Sequence, residues 1–349
     1  MSTDESKNMS TDEDSTHKIT AMDVARHAGV SKWMVSRAMT PGASISASAK
    51  EKVLKAAEEL GYKPNLLARS LSTRSSNIIG LVVDELANPH LLPVIDEVTR
   101  QLQRQGFIAM MLNISSHKSY ERTLSLAEQF QVSALIFLGT LLTDELVALA
   151  RDIKHIPLIV MYRNSNDPNI QVVSTHGYQA GQEIADLLLQ QPLQRIGYMA
   201  GPKSESTLLR RFEGFRDRLS EHGLPVSHYL QAEHYQRTQA LALMTTYLQT
   251  TPAAQRMQAI FCENDILAMG TLEALHAAGL AGQMGVIGFD DIDLASSPLY
   301  DLTSYRQPMH ALIAEVMTRL KAPRSQPLHC LIEGELVVRG SHLCTAVSN

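Results

Sequence analysis

The chain has 349 residues, 44% of them hydrophobic, and a net charge of −5. This length is enough for two or three domains with substantial cores, and no apolar run reaches the roughly 18 residues that a membrane span requires. Three widely spaced cysteines fit neither a disulfide framework nor a zinc cluster, so we expect a reducing compartment and no metal site.

The first 17 residues predict a disordered acidic tail. The pentapeptide MSTDE occurs at residues 1–5 and again at 9–13, and residues 1–16 carry five acidic side chains against one lysine. No apolar segment resembles a secretory signal, so we expect a cytoplasmic bacterial protein. Residues 17–74, in contrast, carry ten Lys/Arg against four Asp/Glu, a net charge of +6. A compact basic module on an acidic body is typical of a DNA-binding headpiece, although charge alone also fits a solvated helical surface.

Residues 18–63 predict three short helices. Thr20 and Asp23 form a capping box for the first, Ser31 begins the second after the break at Gly29, and Ser46 begins the third. The apolar side chains at helical spacing are Met22, Val24, Ala25 and Ala28 in the first helix, Val35, Ala38 and Met39 in the second, and Val53, Leu54, Ala57 and Leu60 in the third. Two short helices joined by a tight glycine-containing turn, with a third in support, indicate a helix-turn-helix.

The face of the second helix opposite its apolar stripe is expected to contact DNA. It carries Lys32, Trp33, Ser36 and Arg37, and the N-terminal part of such a helix enters the major groove. Arg37 can bind guanine through O6 and N7. Trp33, the only tryptophan, either contacts a thymine methyl group or sugar edges, or folds back onto the core. Met34 is unusual here, because a thioether cannot donate a hydrogen bond to a phosphate.

Residues 64–76 form a linker that is expected to need a partner. Pro64 disfavours continuation of the third helix, and "NLLARSL" (65–71) can form a short helix capped by Asn65. This segment exposes three leucines but is too short to be helical alone. It is either a hinge that folds on binding or a spacer packed on the body.

These motifs resemble the LacI/GalR family of transcription regulators. The resemblance rests on D-V-A-x-x-A-G-V-S, V-S-R, L-G-Y-x-P-N-x-x-A-R-S-L and I-G-L-V-V, and it covers residues 19–340. It implies that Lys32 and Trp33 chiefly set operator preference and that Leu71 enters the minor groove from a hinge helix paired with its symmetry mate. The DNA-binding residues that follow from the motifs and the resemblance are Thr20, Ser31, Lys32, Trp33, Met34, Ser36, Arg37, Ser44, Asn65, Ala68 and Leu71.

From residue 78 onward, apolar runs alternate with helical stretches. The runs lie at 78–84, 107–113, 132–139, 156–162, 195–201, 259–264 and 285–291. Such a pattern predicts parallel sheets covered on both faces, and it restarts at His176. We therefore expect an α/β body of two doubly wound parallel-sheet subdomains, as in periplasmic sugar-binding proteins, behind the all-α headpiece. The expected body spans 77–349, with an N-lobe of about 77–175 plus 305–320 and a C-lobe of about 176–304 plus 321–349.

A fold of this kind binds its ligand at the carboxyl ends of the strands, between the lobes. Polar residues at predicted strand ends include Arg210 and Arg211 after "GYMAG", Asn264 and Asp265 in "CENDILAMG", Asp290 in "GFDDID" and Gln307 on a crossover. An arginine, an asparagine and an aspartate supply donors and acceptors for vicinal hydroxyls. The resemblance implies that Arg211, Asn264 and Asp290 bind the ligand, with Gln307 as a further contact.

Two positions depart from the family pattern. His90 stands where aromatic residues are frequent, and Tyr162 stands where an acidic ligand residue is common, with Arg163 retained. One acid fewer and one histidine more leave room for a sugar acid, a sugar phosphate or a glycoside. We expect the effector site at Arg211, Asn264, Asp290, Gln307, Tyr162 and His90; for each, an ordinary helix cap or interlobe salt bridge is the alternative.

Three functions compete: a ligand-responsive transcription regulator, a periplasmic-type binding protein and an enzyme of the doubly wound class. The basic module and the absence of a signal argue against the second. No GxxxxGK[ST] or GxGxxG follows a predicted strand, and Cys262 fits a strand residue better than a nucleophile, so we expect neither an enzyme nor a cofactor. We expect a homodimeric repressor of carbohydrate-utilisation genes, without a tetramerising coiled coil or a membrane partner, whose affinity for a palindromic operator is changed by a sugar-derived effector.

Overall fold

The computed structural model describes residues 19–40, 42–63, 76–84, 86, 88–114, 119–139, 156–165, 170–203, 209–321 and 328–345. The chain divides into two compact units, Met1–Arg74 and Ser75–Asn349. The predicted tail and hinge helix, including Asn65, Ala68 and Leu71, lie outside the described residues, so those expectations remain predictions. In the part of the chain that is described, no helix is both long and apolar enough to cross a bilayer.

The first unit contains the three predicted helices, α1 (Ala21–Ala28), α2 (Lys32–Ala38) and α3 (Ala47–Glu59). Thr20 and Asp23 close the capping box at α1, and the hydroxyls of Ser31 and Ser46 accept hydrogen bonds from backbone N–H groups of α2 and α3. Gly29 ends α1 in the left-handed region at φ 64°, which lets the chain turn so that α2 starts three residues later, at Lys32. The capping residues therefore set the helix boundaries as predicted.

The core of this unit is formed by one stripe from each helix. Its buried members are Val24, Ala25, Val35, Ala38, Val53, Ala56 and Ala57. Two expected members are wrong: Met22 is 51% exposed and Leu54 is 44% exposed. Each residue of an α-helix is rotated by about 100° from the next, so Met22 lies well away from the Val24 face and Leu54 lies beside the Val53 face.

The second unit contains two six-stranded sheets, which confirms the expected fold class. The first has the order β11-β5-β4-β3-β1-β2 and is parallel throughout. The second has the order β12-β10-β9-β8-β6-β7 and is parallel except for β12. The strands are β1 (Ile78–Val83), β2 (Ile108–Asn113), β3 (Ala134–Phe137), β4 (Leu158–Met161), β5 (Gln171–Thr175), β6 (Ile196–Ala200), β7 (His228–Gln231), β8 (Ala259–Cys262), β9 (Gly285–Asp290), β10 (Thr303–Arg306), β11 (His329–Ile332) and β12 (Glu335–Val337).

Helices cover both sheets. The first lobe has α4 (Leu91–Arg104) and α5 (Ser119–Gln129), and the second has α6 (Gly177–Leu189), α7 (Arg211–Glu221), α8 (Arg237–Thr250) and α9 (Asp265–Ala277). The chain then returns, and α10 (Met309–Lys321) packs its buried face into the core of the first lobe. Two short 3₁₀ helices, Ala253–Gln255 and Asp293–Ser296, lie in the second lobe.

The final crossings differ from the expected division. The sequence pattern predicts 321–349 in the C-lobe, but β11 pairs with β5 in the first sheet, and only β12 returns to the second. β11 is an edge strand with alternating exposed and half-buried residues. It therefore lacks the continuous apolar run by which the buried strands were recognised, and its parallel pairing covers the edge of β5.

A close contact between α6 and α7 fixes the position of Arg211, which lies at the start of α7. Gly181 and Gly214 lie at this contact: a Cβ on Gly214 would collide with the carbonyl oxygen of Tyr178, and one on Gly181 with the carbonyl oxygen of Arg211. Glycine at these positions therefore allows the two backbones to approach closely. Because Arg211 is the first residue of α7, its position depends on that approach.

We expect Gly214→Ala to lower the free energy of unfolding by about 1–3 kcal/mol through overpacking, although alanine is the better helix former. Chemical denaturation measures the loss. Ser220→Ala, on the exposed face of the same helix, is the matched control and should change stability little. Equal stability of the two variants would contradict the close-packing role of Gly214.

Candidate functional site

The exposed face of α2 carries the residues expected to contact DNA. Lys32, Trp33 and Ser36 are exposed, Met34 and Arg37 are half-buried, and Ser44 is exposed in the turn that follows. The Trp33 side chain is 64% exposed. The alternative that it folds back onto the core is therefore wrong, and the indole lies on the solvent face of the helix.

Arg37 is held in place by two contacts. Its Cζ atom lies 4.7 Å from the centroid of the Trp33 ring, within cation–π distance, and its Nε–H donates to the Ser44 carbonyl at 2.8 Å. Its terminal guanidinium nitrogens remain at the outer end of the side chain. Thr20 and Ser31 are exposed, and their hydroxyls cap α1 and α2. The pair Trp33–Arg37 thus forms a preorganised aromatic and cationic surface.

All six residues expected to bind an effector line one cavity between the two lobes. Its free interior measures about 20 Å³, room for about one water molecule, within a surrounding space of about 370 Å³ that includes open solvent. The expected residues that line it are His90, Tyr162, Arg211, Asn264, Asp290 and Gln307; the others are Asn88, Leu91, Leu138, Gly139, Arg163 and Tyr235. The residues converge because parallel strands end at the same edge of each sheet, and both edges face the cleft.

Gln307 joins the two lobes at the base of the cavity. Its Oε1 accepts from the Thr175 hydroxyl of the first lobe at 2.6 Å, while its Nε2 donates to Asp290 Oδ1 of the second at 2.7 Å. The same nitrogen lies 3.4 Å from His90 Nε2, which accepts the remaining proton. Three of the four hydrogen-bonding sites of this buried amide are therefore engaged: both N–H groups and one lone pair of the oxygen.

His90 is neutral in this arrangement. Burial in the cleft lowers its pKa, the nearby carboxylate of Asp290 raises it, and Arg211 and Arg163 lower it further. A neutral imidazole that accepts at Nε2 carries its proton on Nδ1. His90 begins α4, where Asn88 Oδ1 accepts a hydrogen bond from the His90 backbone N–H at 3.1 Å.

Arg211 and Asn264 are fixed by the second lobe. Arg211 Cζ lies 3.5 Å from the centroid of the Phe289 ring, and Nη1 donates to the Glu263 carbonyl at 2.6 Å. Asn264 is the N-cap of α9, where its Oδ1 accepts from the Leu267 N–H at 3.0 Å. The helix-cap alternative for Asn264 is thus present in the structure, and the cap uses the amide oxygen rather than the NH₂ group.

A buried acid supports this wall from behind. Asp265 is fully buried; its Oδ2 accepts from the Ile292 N–H at 2.8 Å and its Oδ1 from the Ser304 hydroxyl at 2.6 Å. Burial, followed by the charge of Asp290, raises the pKa of Asp265 well above its usual range. These bonds tie β9 and β10 to α9 and so hold Asp290 and Asn264 in one wall.

Sequence reasoning missed several polar residues around the cavity. Thr175 ends β5, which has too few apolar residues to be recognised as a strand, so its position at the cleft was not anticipated. Tyr235 and Glu263 form a pair in which the Tyr235 hydroxyl donates to Glu263 Oε1, and Tyr198 donates to Oε2 at 2.9 Å. Glu263 directly precedes Asn264 at a strand end, and that placement was the available signal.

Comparison with known proteins places these two regions in one family. A profile described as "Bacterial regulatory proteins, lacI family" matches residues 20–65, and one described as "Periplasmic binding proteins and sugar binding domain of LacI family" matches residues 76–300. The chain is 30% identical to the ribose operon repressor of Halalkalibacterium halodurans, covering 92% of this chain and 96% of that protein. It is 27% identical to the transcriptional repressor PurR of Photobacterium profundum, covering 92% and 98%.

Solved structures share the fold. The lac repressor dimer bound to operator and the anti-inducer ONPF superposes with a TM-score of 0.82 at 23% identity, covering 93% of this chain and 99% of that one. A complex of the transcriptional regulator CelR with cellobiose gives a TM-score of 0.68 at 24% identity, with the same coverage. A helix-turn-helix, a two-lobed body with a polar cavity, and full-length similarity to repressors agree: the chain belongs to the LacI family of bacterial DNA-binding transcriptional regulators.

Proposed function

We propose that the protein is a homodimeric repressor that binds a palindromic operator and whose operator affinity is changed by a small sugar-derived effector in the interlobe cavity. The observation that carries this proposal is the convergence of Arg211, Asn264, Asp290 and Gln307 on one cavity. Buried polar side chains that face an open space are typical of small-molecule sites. The relatives named ribose operon repressor and PurR support the repressor role.

The effector acts through the lobes. A ligand that contacts both walls of the cavity favours one lobe arrangement over another, and the dimer responds by a shift in population. The hinge segment 64–76 carries that shift to the headpieces and so to operator affinity. Selection of bound sequences from a random DNA pool, followed by a thermal-shift screen of sugars and sugar acids, tests both halves of the proposal. A protein that prefers no duplex with or without these compounds would refute it.

The operator is read by the face of α2 that carries Arg37. Replacing Arg37 with alanine removes a guanidinium that is already oriented by Trp33 and Ser44. Loss of a bidentate guanine contact costs about 1–3 kcal/mol, so we expect roughly a tenfold to hundredfold loss of affinity for the selected operator. Fluorescence anisotropy with labelled operator measures it, while thermal shifts with effector should be unchanged.

Lys55→Ala is the control for charge, because Lys55 is a highly exposed cation on α3, outside the reading helix. It should lower operator affinity little. An equal loss in both variants would assign Arg37 a general electrostatic role, and loss of effector response in Arg37→Ala would indicate misfolding.

Trp33 is expected to set base preference within each half-site. Because its side chain is 64% exposed, Trp33→Ala should leave the midpoint of thermal unfolding unchanged. Selection from the random pool with this variant should return a different consensus at one position of each half-site. An unchanged consensus would contradict a reading role for the indole.

Asn264 is expected to bind effector through its amide NH₂ group. Asn264→Ala removes both this group and the cap of α9, whereas Asn264→Ser keeps a capping oxygen and removes only the amide. We expect both variants to bind operator and to ignore the effector. Only the alanine variant should lose stability, by about 1 kcal/mol. A serine variant that responds to effector as the parent protein does would leave Asn264 a cap alone.

A further inference from the structure

Tyr162 lines the cavity, and its hydroxyl is buried without a hydrogen-bond partner in the part of the chain that the structure describes. Tyr162 directly follows β4, is 4% exposed and lines the interlobe cavity. Among the described residues, no group forms a hydrogen bond with its Oη. A buried polar group without a partner is unfavourable, and nearly all such groups in folded proteins are satisfied. With no partner among the residues that the structure describes, the Tyr162 hydroxyl is a candidate donor to a bound ligand.

The strained backbone of Tyr162 is a second indication of a ligand site. Its φ of 61° lies in the left-handed region, which bulky side chains rarely adopt. The ring is held edge-on against His90, with centroids 5.0 Å apart and an interplanar angle of 82°. Strained conformations persist where the surrounding structure enforces them, and they concentrate at ligand sites. Packing against His90 thus holds the Tyr162 ring among the residues that line the cavity, at a conformational cost.

Each amide oxygen around the cavity already accepts one hydrogen bond inside the protein. Asn264 Oδ1 caps α9, Asn88 Oδ1 accepts from the His90 N–H, and Gln307 Oε1 accepts from Thr175. The Asn264 amide therefore offers its NH₂ group, and Tyr162 offers an O–H. Asp290 remains the acceptor, with one of its oxygens bound by Gln307. Donors thus outnumber acceptors on the cavity wall.

Among the charged side chains that line the cavity, cations outnumber anions. Two guanidinium groups line the cavity, those of Arg163 and Arg211, and both side chains are buried, at 8% and 5% exposure. Asp290 supplies the one carboxylate among the described residues that line it. Burial keeps His90 neutral by lowering its pKa, and burial together with Asp290 raises the pKa of Tyr162, so the phenol remains a donor. The lining side chains therefore carry a positive net charge.

We propose that the effector carries an anionic oxygen group, a carboxylate or a phosphate, on a hydroxylated sugar-like body, and that Tyr162 with Arg163 and Arg211 selects this group. An anionic oxygen accepts hydrogen bonds and donates none, which matches a wall rich in donors. The hydroxyls of the body bind Asp290. This inference rests on the proposed function, since it names the chemical class of the effector.

Calorimetric titration of the full chain tests the class. The probes are two sugar acids, D-gluconate and D-galacturonate, one sugar phosphate, D-glucose 6-phosphate, and two neutral sugars, D-glucose and D-galactose. We expect at least one anionic probe to bind tenfold or more tightly than either neutral sugar. The sugar-acid and sugar-phosphate arms distinguish carboxylate from phosphate. A neutral sugar that binds more tightly and shifts operator affinity overturns this inference while leaving the proposed function intact.

Tyr162→Phe tests the residue. Because the hydroxyl has no hydrogen-bond partner in the described part of the chain, its removal should leave the midpoint of thermal unfolding unchanged or raise it, while affinity for the anionic probe falls about tenfold. Tyr247→Phe is the matched control: the Tyr247 hydroxyl accepts from the Met257 N–H at 2.7 Å in the second lobe. That variant should lose stability and keep its affinity.

The remaining outcomes are decisive as well. Unchanged affinity of Tyr162→Phe for the anionic probe overturns the role of the hydroxyl. Tyr162→Asp, which places an acceptor at a backbone position that tolerates aspartate, should lose the anionic probe and favour neutral sugars. A parent protein that binds no probe of any arm contradicts both this inference and the proposed function.

Discussion

The body of this regulator depends on one buried amide. Gln307 accepts a hydrogen bond from Thr175 in the first lobe and donates to Asp290 in the second, with His90 completing the set. Buried hydrogen bonds of this kind cost more to break singly than they contribute on average, because each broken bond leaves a desolvated group behind. A change in lobe angle must therefore re-pair the Gln307 amide, and a ligand that offers hydroxyl or anionic oxygens at that point can do so. The same hydrogen-bond network therefore joins the two lobes and lines the ligand cavity.

Backbone elements position the polar side chains that line the cavity. Strand ends supply Asp290 and Tyr162, a helix cap supplies Asn264, and the glycine contact between α6 and α7 supplies Arg211. Each polar side chain is thus also a structural element, and substitution tests must separate the two roles. Buried Asp265 behind the wall illustrates the cost of this arrangement, since only its bonds to Ile292 and Ser304 offset its desolvation.

Much of this organisation could be predicted from sequence. Capping residues and glycines determine the headpiece helices locally, and continuous apolar runs identify the buried parallel strands, so Arg211, Asn264 and Asp290 could be placed at strand ends. The same logic failed where local pattern and tertiary position diverge: β11 is half-exposed, β5 is flanked by polar residues, and Met22 is apolar but faces solvent. The bonds of Gln307 to Thr175 span 132 residues along the chain, and no local signal encodes such a pairing.

The exposed indole of α2 has a practical consequence. The chain contains a single tryptophan, and that residue lies 64% exposed on the headpiece surface beside Arg37 rather than in either lobe. An indole this exposed is expected to emit as a solvated fluorophore, and burial of the ring against a duplex would shift that emission to shorter wavelength. Changes confined to the lobes would leave the signal unaltered unless they reach the headpiece. The protein thus carries an intrinsic optical probe that reports occupancy of one end of the molecule alone.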